Sequence, residues 1–210
     1  MSTPWIIVLI LCAIMFLLYK RKSANLARIK RHLKILPEHF IIADLETTGL
    51  DSTKDEIIEI GAIRVNRDSD HHETFQAYVR ANKKIPKKIT AITGITQAMI
   101  DEKGEPLGSV LKEFKDFVGD LRIVTYNAEF DMAFLNAASV HTGGVINFPN
   151  PVSCALEMAR RAWPRRRSYR LGDISKDGGL SQAGTHRALG DCQRALTVYT
   201  AAVNVLGRIE

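Results

Sequence analysis

Between residues 40 and 79 three short apolar runs follow one another with no helix-period segment among them, and beyond that point strand-like and helix-like stretches alternate. The runs cover residues 40–44, 56–65, where Ile58, Ile60 and Ala62 recur every second position, and 73–79. Side chains two apart on a strand share a face, so this spacing suits strands, and three in succession predict an antiparallel meander. The alternation that follows predicts helices laid on the faces of the same sheet. A turn is expected at Thr93-Gly94, and an amphipathic helix over 107–118 with Val110, Leu111, Phe114 and Phe117 on one side. A strand over 122–126 and helices over 130–140, 152–163 and 189–205 complete the expected body. The fold class is therefore α/β, a mixed sheet flanked by helices, and 210 residues supply one such core with little to spare.

Ahead of that body stands a different kind of sequence. Residues 1–19 carry no side chain that is charged at neutral pH, the run from Trp5 to Tyr19 is almost wholly apolar, and Lys20, Arg21 and Lys22 follow at once. This pattern reads as a transmembrane anchor over 1–20. As a helix the run is about 22 Å long, short of the ~30 Å hydrocarbon core, with Trp5 and Tyr19 suited to the two interfaces. A cleaved signal peptide would place its positive charge before the apolar run rather than after it. Basic residues behind the span predict a cytoplasmic body, tethered to the inner or plasma membrane through lipid contact of the N-terminal helix. Residues 21–37 form a basic juxtamembrane linker. Leu26, Ile29, Leu33 and Leu36 recur there at helical spacing, which fits either an amphipathic helix on an anionic leaflet or a solvated connection. The net charge of +6 resides in this segment, because the remaining basic residues nearly balance the 23 acidic ones. Cys12, Cys154 and Cys192 show no paired spacing, so neither a disulfide framework nor a zinc site is expected. Residues 38–210 make the third unit, the folded body.

The chemistry is concentrated in a few carboxylates. Asp44 and Glu46 flank Leu45 at the end of the first strand and would lie side by side on one face. Like charges so placed raise each other's pKa unless a cation lies between them. Asp131 falls in Tyr126-Asn127-Ala128-Glu129-Phe130-Asp131, where a strand gives way to a helix, and Asp191 stands at the start of the closing helix. Each alone is more simply explained as an acid in a helix's first turn. His186 precedes Asp191 by five residues, about 140° around a helix, so the two can serve one site only if His186 stands on the loop.

Taken in order, Asp44-Leu45-Glu46-Thr47-Thr48-Gly49, Asn127-Ala128-Glu129-Phe130-Asp131 and the His186/Asp191 pair resemble the three motifs of the DEDDh-type 3′-5′ exonucleases. That family includes the proofreading epsilon subunit of DNA polymerase III and ribonuclease T, and the similarity runs over residues 40–205. The resemblance implies a ribonuclease H-like fold and release of nucleoside 5′-monophosphates from 3′ ends, helped by two divalent ions, Mg²⁺ or Mn²⁺. It implies that Asp44, Glu46 and Asp191 hold the first ion, that Asp44 bridges to the second, that Asp131 reaches the second largely through water, and that His186 is the general base. Gly49 would let the backbone approach the terminal nucleotide, and Leu50 would press against its base. Thr47, Thr48, Asn127 and Phe130 complete the expected substrate-binding set.

Two positions depart from the pattern: Tyr126 and Thr93 stand where many relatives carry histidine, which affects how the terminal nucleotide is held rather than any metal ligand. Single-stranded nucleic acid is the expected partner, DNA in preference. RNA or short oligoribonucleotides are the alternative, and no residue separates the two because contact with a 2′-hydroxyl depends on geometry. A nonenzymatic module that ties nucleic acid to the membrane would be expected to have lost one of the five residues, and all are present. Nothing in the sequence specifies a protein partner. Finally, six arginines fall among residues 160–170 together with Trp163 and Tyr169. Cations and flat rings suit a single strand, and a solvated loop with Trp163 packed on the core explains the same stretch. Lys83, Lys84, Lys87 and Lys88 form a weaker basic group of the same kind.

Overall fold

A computed structural model describes residues 35–209. The transmembrane anchor, and the basic linker up to residue 34, lie outside the described residues. Among the described residues no helix is long and apolar enough to cross a membrane.

The meander forms as expected. β1 (His39–Thr47) pairs antiparallel with β2 (Ile57–Asn66), which pairs antiparallel with β3 (Glu73–Tyr78). On the other side of β1 the sheet turns parallel, through β4 (Ile123–Thr125) and then β5 (Val152–Cys154), so the order is β3-β2-β1-β4-β5. β1 is therefore central, which explains why its residues 40–43 are apolar on both faces and fully buried. The helices are α1 (Lys87–Thr93), α2 (Gln97–Lys103), α3 (Leu107–Val118), α4 (Ala128–His141), α5 (Ala155–Ala162), α6 (Leu171–Asp177) and α7 (Ala188–Leu206). Helix α3 matches its expected bounds. The expected helix over 152–163 does not: its first three residues are β5, and only Ala155–Ala162 is helical.

Two apolar layers clothe the sheet. Phe40, Ile42, Val65 and Val124 face α5, α6 and α7, while Ile41, Ala43, Leu45 and Ile123 face α3 and α4. Asp44 and Glu46 continue the alternation of Phe40 and Ile42, and so emerge on the α7 face. Helix α7 runs back along β1. Its first residues lie over Gly61, opposite Asp44 in the β1–β2 register, and Tyr199 packs on Phe40 with ring centroids 5.9 Å apart. Leu36 is buried in the cluster that also holds Val203, with Leu206 and Ile209 packed against it, and Arg67 donates from Nη1 to the Leu36 carbonyl at 2.8 Å.

Candidate active site

Gly61 decides where the last acid falls. A side chain there would meet the backbone of Ala188 and Leu189 at 2.6 Å, so only glycine lets the start of α7 settle onto β2. Settled there, α7 carries Asp191 to the end of β1. Asp44, Glu46 and Asp191 each offer one carboxylate oxygen, and these oxygens lie within 4.8 Å of one another. The crowding has an electrostatic cost. Burial, and then Asp131, Asp191 and Glu46, hold the Asp44 carboxyl well above the usual carboxylate range. Burial, and then Asp191 and Glu59, push Glu46 up to about 8. Asp131, in the first turn of α4, stands outside the triad but is almost wholly buried, and burial raises it to about 7 against the opposing pull of hydrogen bonds that include the Leu45 backbone.

His186 stands on the loop before α7, as the five-residue spacing required, with its side chain exposed to solvent. It is the one described non-glycine residue with a positive φ, 58°. The fold holds it there from two directions: its backbone N–H donates to Asp191 Oδ2 at 3.1 Å, and the Arg194 guanidinium gathers Asp191 Oδ1 at 2.9 Å, the Ala183 carbonyl at 3.2 Å and the Gly184 carbonyl at 2.8 Å. Arg194 was not foreseen. Neither were Glu59 and Arg187. Glu59 is fully buried and accepts from Arg187 at 2.8 Å, from Gln76 at 2.7 Å and from the Ala188 backbone at 3.0 Å, thereby fastening the first turn of α7 to the sheet. A signal for Glu59 existed, an acid inside an otherwise apolar strand, but its partner lies 128 residues away.

The expected substrate residues divide into two groups. Thr47 and Thr48 are buried and spend their hydroxyls inside the loop: Thr47 Oγ1 donates to the Gly49 carbonyl at 2.5 Å, and Thr48 Oγ1 accepts from the Glu56 N–H at 2.9 Å. A Cβ at Gly49 would come within 2.3 Å of the Asp55 carboxylate, so packing inside the loop is itself a reason for glycine there. Leu50, 86% exposed, stands with Asn127, Phe130 and Glu129 around an open cavity of about 300 Å³. Phe130 is braced by Phe134, with centroids 4.8 Å apart.

The two departures have local roles. The Tyr126 hydroxyl donates to the Tyr169 carbonyl, and Thr93 accepts from the Ile95 N–H at 3.0 Å across the left-handed Gly94. In the arginine stretch Trp163 packs on the core and Tyr169 donates its hydroxyl to the Trp163 carbonyl, so both rings serve the loop itself. Arg166 pairs with Asp177 at 2.5 Å.

A central β1 bearing two acids, a third acid delivered by the closing helix and a histidine on the preceding loop define an exonuclease domain of DEDDh type. The exonuclease (RNase_T) family model matches residues 41–199, and the chain belongs to that family. It is 36% identical to the DNA polymerase III subunit epsilon of Aquifex aeolicus over 172 residues, covering 81% of this chain and 83% of that one. It is 34% identical to the PolC-type DNA polymerase III of Clostridium perfringens over 166 residues, 79% of this chain but only 11% of that much longer polymerase. Among solved structures, E. coli exonuclease I in complex with a dT13 oligonucleotide aligns with a TM-score of 0.65 at 21% identity, over 79% of this chain and 41% of that one. The nuclease domain of 3′hExo, a DEDDh family member bound to rAMP, aligns with a TM-score of 0.65 at 22% identity, over 78% and 90%.

Proposed function

We propose that the protein is a metal-dependent 3′-5′ exonuclease that releases nucleoside 5′-monophosphates from single-stranded nucleic acid, with DNA preferred, and that residues 1–20 tether it to a membrane with the body, 38–210, in the cytoplasm. The observation that carries the catalytic part is the triad of Asp44, Glu46 and Asp191. Three oxygen donors within 4.8 Å, two of them pushed toward protonation by burial and by one another, suit a hard divalent cation such as Mg²⁺ or Mn²⁺. When bound, such ions supply Lewis acidity and lower the pKa of water.

The remaining work belongs to the side chains. Asp131 would add a fourth acid for a second ion, and Asp44, whose carboxyl feels Asp131, Asp191 and Glu46 together, would serve both. Exposed on its strained loop, His186 can take the proton of the attacking water on an imidazole nitrogen. The Phe130 ring and Leu50 offer the terminal base two apolar faces across the cavity, with Asn127 at its rim. Preference for DNA is supported by the likeness to DNA polymerase III subunits. The rAMP bound to 3′hExo favours RNA as the second reading. Support for the tether is the uncharged run of 1–19 followed by seven cations before Glu38.

Cleavage of labelled DNA and RNA oligonucleotides with Mg²⁺, with Mn²⁺ and in excess chelator tests the chemistry. Stepwise shortening from the 3′ end, mononucleotide product and silence in chelator are expected; cleavage undiminished by chelator would overturn the reading. Fractionation of cells, with protease added from outside, tests the tether, for which an intact body in the membrane fraction is expected.

A further inference from the structure

The arginine-rich loop is joined to the sheet through a buried tyrosine. Thr125, the last residue of β4, pairs in parallel register with Ala43, and Tyr126 directly after it is buried in the same α7-side cluster as Phe40 and Ile42. From there its hydroxyl reaches the Tyr169 carbonyl, which ties the 163–170 loop to the end of β4. The loop and α6 together wall an open groove of about 600 Å³. Internal bonds settle which of its charges are available. Arg166 is committed to Asp177, and Ser168 donates to Asp173 at 2.5 Å, so both acids of the groove are engaged. Arg167, Arg170 and Lys176 are exposed, and among the described residues none of their side chains has an ion-pair partner.

We propose that this groove holds the phosphodiester backbone of the substrate strand upstream of its 3′ end, with Arg167, Arg170 and Lys176 as its phosphate contacts. The proposal rests on the exonuclease reading for the identity of the strand. A polyanion is the fitting occupant because three uncommitted cations line the groove, while the aromatic residues of the loop are turned inward: Trp163 packs on the core and the Tyr169 hydroxyl is spent on the Trp163 carbonyl. Recognition is therefore by charge alone and blind to base sequence.

The test is the salt dependence of binding of a 5′-fluorescein dT12 to the full-length protein in neutral detergent, in EDTA so that the strand stays intact. Arg167→Gln/Arg170→Gln/Lys176→Gln should weaken binding about tenfold or more at low salt and flatten the plot of log affinity against log salt by about 2, at about 0.7 per lost contact on a single strand. The single reversal Lys176→Glu, which changes only an exposed side chain, should move both in the same direction by a smaller amount. Melting temperature and mononucleotide release from a dinucleotide, too short to reach the groove, should match wild type. An unchanged slope in both variants overturns the proposal, as does a fall on the dinucleotide equal to that on the longer strand. So does loss of binding to phosphatidylglycerol mixed micelles with oligonucleotide affinity intact, which would make the groove a lipid contact. A wild-type protein that binds dT12 but never releases mononucleotides when metal is supplied would overturn the exonuclease reading instead, and the slope would still report on the groove.

Discussion

Glu46 and Glu59 face each other across β1 and β2, on the same side of the sheet, and have opposite fates. Glu59 is fully buried and surrounded by donors, with Arg187, Gln76 and the Ala188 N–H all directed at its oxygens. Glu46 looks instead toward Asp44 and Asp191, and its carboxyl is pushed up to about 8. A buried acid given its own cation fastens two elements together; an acid left among other acids stores unfavourable charge that an incoming cation relieves. Asp191 shares in both arrangements, since Arg194 and the His186 N–H hold it in place while it completes the triad.

Substitutions in the two groups should therefore separate stability from activity. The largest effect is expected at the triad: Asp44→Ala or Asp191→Ala should reduce cleavage to the level of a chelated control. The melting temperature of metal-free Asp44→Ala should stay level or rise, because repulsion is relieved. Cleavage assays paired with thermal melts read both, and full activity in either variant would end the assignment. Next comes His186→Ala, which should lower the rate by roughly 10² to 10⁴ while calorimetry finds metal affinity near wild type, because the acids are untouched.

Glu59→Ala should show the reverse pattern. Removing the acid strands Arg187 and the Ala188 N–H, at a cost of about 2–4 kcal/mol in folding stability, measured by urea unfolding. Whatever folded fraction remains should still bind metal. The smallest effect concerns pH. Acids whose folded pKa is raised hold more protons folded than unfolded, so the stability they contribute is present in full below their ordinary pKa and is lost as pH rises through the folded value. With Glu46 raised to about 8 and Asp131 to about 7, the metal-free protein should lose melting temperature between pH 5 and pH 8. Glu46→Gln should flatten that slope, and added Mg²⁺ should reverse the loss. A slope unchanged by both would mean that the acids are not strained as the geometry implies.

How much of this could be read in the sequence follows from where each signal lies. The meander and α3 were legible because ten or so residues of regular period suffice to distinguish strand from helix. β5 was not: three residues show no period, and with helical sequence directly behind them Val152, Ser153 and Cys154 were absorbed into the next helix. Short α6 went unread for a similar reason. The acids and His186 were legible because their spacing along the chain carries the pattern. Glu59, Arg187 and Arg194 support the site through partners that only the tertiary fold supplies, and Gly61 through an approach of α7 that no local rule encodes. The arginine stretch was half legible: its charge was visible, but not that Trp163 and Tyr169 turn inward or that Arg166 is already paired.

The course of α7 along β1 also sets the ends of the described chain apart from the acids. The described chain begins at Ile35 and ends near Ile209 at one pole, whereas the acids lie near the other, separated by a strand of nine residues and a helix of nineteen, each roughly 28–30 Å long. Whatever is joined ahead of Ile35 therefore holds the domain by its back. On a lipid surface the catalytic end would point outward by about the depth of the domain, beyond the roughly 8 Å over which surface charge is felt at physiological salt. Strand ends would then reach the acids from open solution, and an anionic bilayer would not repel them on their way in.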